Sequence, residues 1–415
     1  MWQKPVEHDM AQLNIKSRKK GVPVVIKLIF SILLMAAGAF ILMFVLREKG
    51  YYISGNDAWG HFFKSDLMYR SILSGDYYPL HTNLWYNGLQ PYRYWAPLPY
   101  YILAFFEWLA KGDIIATYYY FVGFSFFAGG CGWLLWGLST RRMALCTFLG
   151  FMWFFLPDNI RVFFCEGNVP RIITAIIIPY LAYCIWLFVE KEKKITAVFI
   201  TLLMSMMALS HLMISAMMGI CTFIFLVFYV IANKKYLRAF QVIVSMLLGY
   251  AVIGIWLIPA LIGGLVGMNQ EASASVMESL TYALKSTLNP FTRITGVTDT
   301  YYYGISIISI AVIGIILANR KIKAGYYTNL IILLCTTPAM VPILSKLPLS
   351  QLLWMMRFTT IAYSFFMWSV IEWKNIKRYV TILLMALILI DCIPSFMLSR
   401  YYTQTKGSFR DELLI

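Results

Sequence analysis

Apolar runs close to twenty residues long recur along this chain, and they limit what it can fold into more than any other feature. VPVVIKLIFSILLMAAGAFILMFVL (22–46) is the first. A helix of about 20 apolar residues crosses a hydrocarbon core, whereas a membrane barrel strand needs about ten residues of alternating character. These runs do not alternate, so helices are expected. Composition agrees. Of the 415 residues 60% are hydrophobic and 13% charged, where a soluble domain is roughly half apolar and a quarter charged. The expected fold class is an all-α polytopic membrane protein, and a soluble globular fold is excluded.

Eleven spans are expected, near 22–46, 114–138, 143–157, 170–189, 195–210, 212–232, 239–263, 303–319, 325–340, 358–373 and 379–398. Basic residues orient them, because short cytoplasmic connections carry an excess of Lys and Arg. With the N-terminus inside, the basic tail 1–21 lies in the cytoplasm. On the same side fall RR (141–142), KEKK (191–194), KKYLR (234–238), NRKIK (319–323) and KNIKR (374–378). The turn at Ser210 and His211 has no Lys or Arg. The C-terminus is then extracytoplasmic. This bias accounts for the net charge of +16 without nucleic acid as a partner. The first run exceeds the roughly 7–15 residues of a signal-peptide core and is expected to stay as an anchor. The cysteines (Cys131, Cys146, Cys165, Cys184, Cys221, Cys335 and Cys392) fall mostly in apolar runs without a CxxC pair. They read as small buried hydrophobes, not as a disulfide framework or zinc site.

PLPYYILAFFEWLA (97–110) is apolar but short, and an interfacial or re-entrant helix is expected there, with its aromatics at headgroup level. Three outer segments remain: 47–113, 158–169 and 264–302. The first is rich in Trp, Tyr and Pro (YYPLHTNLWYNGLQPYRYWAPLPYY), which is not a disordered composition; an ordered cap is expected. Residues 399–415 are expected to begin an outer C-terminal segment, broken off at KGSFRDELLI.

On this topology, ionisable residues from four separate elements meet at one membrane face, where such groups are costly and usually functional. They are Asp57, His61, Lys64, Asp66 and Arg70; Asp158, Arg161, Glu166 and Arg171; His211; and Arg357. Each also has a plain reading. Asp57 sits at a helix start, where a carboxylate suits the positive end of the dipole. Asp57 and His61 share a helix face at i, i+4, and Asp66 with Arg70 at the same spacing reads as an ordinary ion pair. Lys64 reads as a side chain snorkelling to the headgroups. His211 could be a hydrogen-bonded turn residue, and Arg357 an anchor on lipid phosphate. CEGNVPR (165–171) is harder to set aside. It puts a carboxylate, an amide (Asn168) and a guanidinium together just before a helix that Pro170 opens.

The ordered motifs DAWGHFFKSDLMYRSILSGDYYP (57–79), GLQPYRYWAPLPYY (88–101), EGNVPR (166–171), SH (210–211) and QLLWMMRF (351–358) resemble the GT-C glycosyltransferase superfamily. More closely they resemble a bacterial membrane family labelled, misleadingly, 6-pyruvoyl-tetrahydropterin-synthase-related, over roughly residues 22–398. The resemblance implies a GT-C-like bundle in the bacterial plasma membrane. It implies transfer of a sugar from a polyprenyl-phosphate-linked donor to a glycan, lipid or protein acceptor. Asp57 matches the first-loop carboxylate used as base or metal ligand, Glu166 the second-loop acidic position, and Arg357 the arginine on lipid-linked phosphate. A divalent metal, Mg or Mn, would sit on Asp57 and Glu166, although the second loop lacks the paired acidic residues of metal-dependent members.

The chemistry fits these residue types. A departing phosphate needs positive charge beside it, which Arg357, Arg171 or Lys64 could supply with Asn168 and His211 at hand. The acceptor hydroxyl needs a base, for which Asp57 or His61 serves, with Glu166 as the second catalytic carboxylate. The rival readings are a transporter or flippase of lipid-linked sugars, another polysaccharide-assembly enzyme, and an inert membrane scaffold. A transporter predicts ionisable groups near the midplane and internal repeats, and neither is evident.

Overall fold

A computed structural model describes residues 23–51, 53, 55–84, 88–263, 288–290, 302–346 and 354–400. The expected tail 1–21, most of the outer segment 264–302 and residues 401–415 lie outside the described residues. Within them the chain is all helical, apart from an isolated bridge between Thr82 and Leu89. The principal helices are α1 (Val24–Glu48), α2 (Ala58–Leu73), α3 (Leu98–Leu109), α4 (Ile114–Thr140), α5 (Met143–Met152), α6 (Val169–Lys191) and α7 (Thr196–Ala208). They continue with α8 (Leu212–Asn233), α9 (Tyr236–Val252), α10 (Gly254–Ile262), α11 (Ile305–Leu317), α12 (Lys323–Cys335), α13 (Thr359–Glu372) and α14 (Arg378–Cys392).

Among the described residues, five helices are long and apolar enough to cross a membrane: α1, α4, α6, α8 and α14 with its 3-10 extension to Phe396. Two bent pairs raise the number to seven. These are α5 with Pro157–Glu166, bent by 42°, and α9 with α10, bent by 72°. α7, α11, α12 and α13 stand at expected spans but have 13 or 14 residues. At 1.5 Å per residue that is about 20 Å, short of a hydrocarbon core of about 30 Å.

Burial orders the bundle. Only 22% of the α1 window is buried against 78% of the α6 window, so α1 lies at the rim and α6 at the centre beside the almost wholly buried α13. Small residues let the rim helices approach. A Cβ on Gly150 of α5 would stand 2.5 Å from the Gly130 carbonyl oxygen of α4, so backbone meets backbone there, as is usual between helices in lipid.

The 47–113 segment folds back on itself. α2 and α3 bury Met68, Tyr92, Tyr100 and Ala104 between them. The Tyr92 hydroxyl donates to the Lys64 carbonyl (2.6 Å), and the Trp256 indole of α10 donates to the Tyr92 carbonyl (2.9 Å). α3 has 12 residues, about 18 Å of helix, too short to span. Its Phe105, Trp108 and Leu109 are exposed while Leu103, Ala104 and Glu107 are buried, the two-sided pattern of an interfacial helix.

The connection 157–169, within which the second outer segment (158–169) is expected, is coiled and buried. Pro157–Arg161 is a buried α-turn, and Val162–Glu166 winds on as a π-turn that ends at Gly167 in the left-handed region (φ 62°). Pro157 suits a first helical turn, and the apolar VFFC that follows gives the chain reason to stay coiled inside the bundle.

Candidate functional site

The site is assembled where two Gly-Asn turns meet. Gly55 has φ +109°, and a Cβ there would stand 2.3 Å from the Gly167 nitrogen; only glycine permits this approach. The chain leading into α2 is then pinned by two backbone bonds, Asn56 N–H to the Cys165 carbonyl (3.2 Å) and Asp57 N–H to the Glu166 carbonyl (2.8 Å). In the second turn Asn168 serves twice. Its Oδ1 accepts from the Arg171 N–H and caps α6 (3.1 Å), while its Nδ2 donates to Asp57 Oδ2 (2.9 Å).

Asp57 therefore stands at the N-terminus of α2 without capping it by its side chain. The carboxylate turns to Asn168 and remains half-buried. Burial and the neighbouring Glu166 push its pKa up from the usual carboxylate range, against the pull of Asn168, Arg357 and Arg171. Such a carboxylate is accessible, oriented on one oxygen and more basic than usual.

Glu166 is held differently. Its two oxygens are ion-paired to Arg161 (2.7 Å) and to Arg171, and Arg161 is also paired to Asp158 (2.9 Å). All four side chains are buried. A carboxylate with an arginine on each oxygen orients those arginines and is poorly placed to take a substrate proton. Of the two carboxylates, Asp57 is therefore the one placed to accept a proton, and Glu166 holds Arg171. The same geometry speaks against a divalent metal on Asp57 and Glu166. Mg and similar ions need several free oxygen ligands, and no group of three His, Cys, Asp or Glu side chains forms a cage among the described residues.

Arg357 lies in a 3-10 turn before α13. Its guanidinium stacks on Trp354 (4.1 Å to the ring centre) and points Nη1 at the Met213 sulfur (3.7 Å). Unlike Arg161 and Arg171, it forms no ion pair among the described residues. Burial and the like charge of Arg171 lower its pKa to about 10. With Arg171, Thr174, Ile178, Ile214 and Thr360 it lines a cavity of about 10 Å³, about enough for one water.

His211 stands at the start of α8, where its Nδ1 accepts from the Ile214 N–H (3.4 Å). Next to it, the Leu98 N–H of α3 bonds the Leu209 carbonyl (3.1 Å), bringing α3 to this turn. Lys64 does not snorkel, contrary to the plain reading. It is 3% exposed, its Nζ donates to the Gly60 carbonyl (2.9 Å) and lies 4.3 Å from the centre of the Trp95 ring. Burial lowers its pKa to about 8, against the pull of Asp57. Asp66 and Arg70 form the exposed ion pair expected (2.8 Å) and stand apart from the site.

All eight sequence-predicted site residues thus fall on the four elements that meet here. Two members of the site escaped that prediction. Arg161 was seen only as a charge; its five-residue spacing to Glu166, like that from Glu166 to Arg171, was the signal. Tyr100, whose hydroxyl meets His61 (3.1 Å), carried none in so tyrosine-rich a chain.

The family described as 6-pyruvoyl-tetrahydropterin synthase related domain, a membrane protein, matches residues 92–399. The chain belongs to this family. The matched stretch takes in Glu166, Asn168, Arg171, His211 and Arg357, and begins after Asp57, His61 and Lys64. No curated protein and no solved structure matches the chain.

Proposed function

We propose that this chain is a membrane glycosyltransferase of GT-C type, taking a sugar from a polyprenyl-phosphate-linked donor at the extracytoplasmic face of a bacterial plasma membrane. Its bundle would cross the bilayer eleven times, the shorter helices included, with the N-terminus cytoplasmic and the C-terminus outside. The observation that carries the reading is a single juxtaposition. Asp57, a half-buried carboxylate with a raised pKa, lies within electrostatic reach of Arg357, a cation that forms no ion pair among the described residues.

In the reaction, the acceptor hydroxyl oxygen attacks the anomeric carbon and the bond from that carbon to the phosphate oxygen breaks. The hydroxyl proton passes to Asp57, and the electron pair stays on the departing phosphate, beside Arg357 and Arg171. Asn168 aims the carboxylate and Glu166 holds Arg171. The acceptor, whether glycan, lipid or protein, would arrive from the aqueous side of the α2–α3 segment.

The test is transfer of a labelled sugar from polyprenyl-phosphate donors in membranes holding the full chain. A new glycosidic bond, formed by wild type and reduced about 100-fold in Arg357→Ala, is the expected result. Movement of labelled lipid across the bilayer without such a bond would replace the enzyme by a flippase.

A further inference from the structure

His61 is the imidazole of the site that bonds a side chain whose own protonation is settled by burial. It lies one turn after Asp57 on α2, 6% exposed, with Nδ1 3.1 Å from the Tyr100 hydroxyl. Tyr100 is fully buried, and burial raises its pKa well above the usual phenol value, so it keeps its proton. A buried hydroxyl hydrogen requires an acceptor. The partner of this one is His61 Nδ1. By distance either atom could donate; the arrangement that pairs the buried hydroxyl hydrogen makes Nδ1 the lone-pair nitrogen and puts the ring hydrogen on Nε2.

The charged groups around the ring hold it neutral. Burial, and then the Lys64 ammonium three residues on, push its pKa down to about 3. Asp57 acts on Tyr100 from the start of α2, and His211 feels the His61 ring from the head of α8. Nε2, on the far side of the ring from Tyr100, is buried and has no partner among the described residues. A buried N–H donor costs about 1–3 kcal/mol when left unmade, and the Lys64 ammonium that acts on this ring also favours an anion.

We infer that His61 is a neutral hydrogen-bond donor, reaching with its Nε2–H for a phosphate oxygen of the bound lipid, and that Tyr100 is the positioning residue that fixes its tautomer. The base role open to His61 in the sequence is thereby withdrawn and rests with Asp57 alone. The phosphate as ligand rests on the proposed function; the tautomer does not.

The chain has four histidines, so ¹⁵N-histidine labelling of the full chain in detergent gives a spectrum simple enough to assign with His61→Gln. The expected result is one neutral Nε2–H form of His61, unchanged from about pH 5 to 8. In Tyr100→Phe a mixture of tautomers replaces it. Adding sugar-free polyprenyl phosphate should move the His61 Nε2–H signal. His61→Gln, whose amide donates from a similar position, should keep polyprenyl-phosphate binding within about threefold, while His61→Ala loses about tenfold. A His61 that titrates near its ordinary 6.5, or carries its hydrogen on Nδ1, overturns the inference. A fixed Nε2–H form that polyprenyl phosphate leaves unmoved overturns the ligand. If sugar transfer fails for every donor and the phosphate still shifts His61, the glycosyltransferase reading falls and this inference stands.

Discussion

At the scale of residues, the two acidic positions that look alike in sequence are set apart by their partners. Glu166 is wholly buried and paired to two arginines; Asp57 is half-buried and paired to one amide. Glu166→Gln leaves two buried guanidiniums short of their counter-charge and is expected to cost about 3–5 kcal/mol of stability, read as a lowered Tm in detergent. Asp57→Asn should leave Tm nearly unchanged. The pH dependence follows from shifts of opposite sign. Asp57 must be ionised to accept a proton, and its raised pKa moves the acid limb of kcat/KM above the usual carboxylate range. Lys64 must be protonated to attract a phosphate, and its lowered pKa puts the alkaline limb near 8. An acid limb at the ordinary value near 4 would contradict the buried environment assigned to Asp57.

At the scale of elements, the critical contact is the one between the two Gly-Asn turns. Gly55→Ala would drive a Cβ into the Gly167 backbone and force a side chain into φ +109°. Two effects of about 1–3 kcal/mol each should free the start of α2. The expected readout is loss of transfer together with faster proteolysis between α1 and α2. Proteolysis at the wild-type rate would mean the turns are not what holds α2. Helices themselves were legible in the sequence because long apolar runs have few other solutions in lipid. The ion pair of Asp66 with Arg70 was legible because i, i+4 neighbours on one helix need no tertiary knowledge. The snorkelling alternative for Lys64 fails because Trp95, thirty-one residues on, covers its ammonium, which nothing local reveals. The Asp158–Arg161–Glu166 chain was not legible because the spacing of the charges alone does not show which of them pair. The π-turn that puts Arg161 on Glu166 is favoured only once the surrounding bundle buries it.

At the scale of the whole molecule, the charge bias and the site must agree on sides. The proposed eleven-span topology assigns the inner connections by their lysines and arginines, and it would put α2, the Glu166 turn, His211 and Arg357 at the opposite face. Single cysteines at the exposed positions Ser74 and Lys193, in a chain whose seven native cysteines are replaced, test this, since one closes the far end of α2 and the other lies in KEKK. An impermeant thiol reagent added outside intact cells should label Ser74→Cys and spare Lys193→Cys. The reverse pattern would put the site in the cytoplasm and remove the reason for a lipid-linked donor. The cationic cleft itself needs no metal in this account, so EDTA should leave sugar transfer within about twofold; abolition by EDTA and rescue by Mg would contradict the pairing of Glu166 with two arginines.

The most direct measurement of the central claim is sugar transfer and Tm, side by side, in purified wild type and Asp57→Asn. The account predicts transfer lower by about 100-fold or more, with Tm unchanged. Equal transfer at equal Tm would mean that Asp57 is not the base and that the place where the two Gly-Asn turns meet is not where this protein does its chemistry.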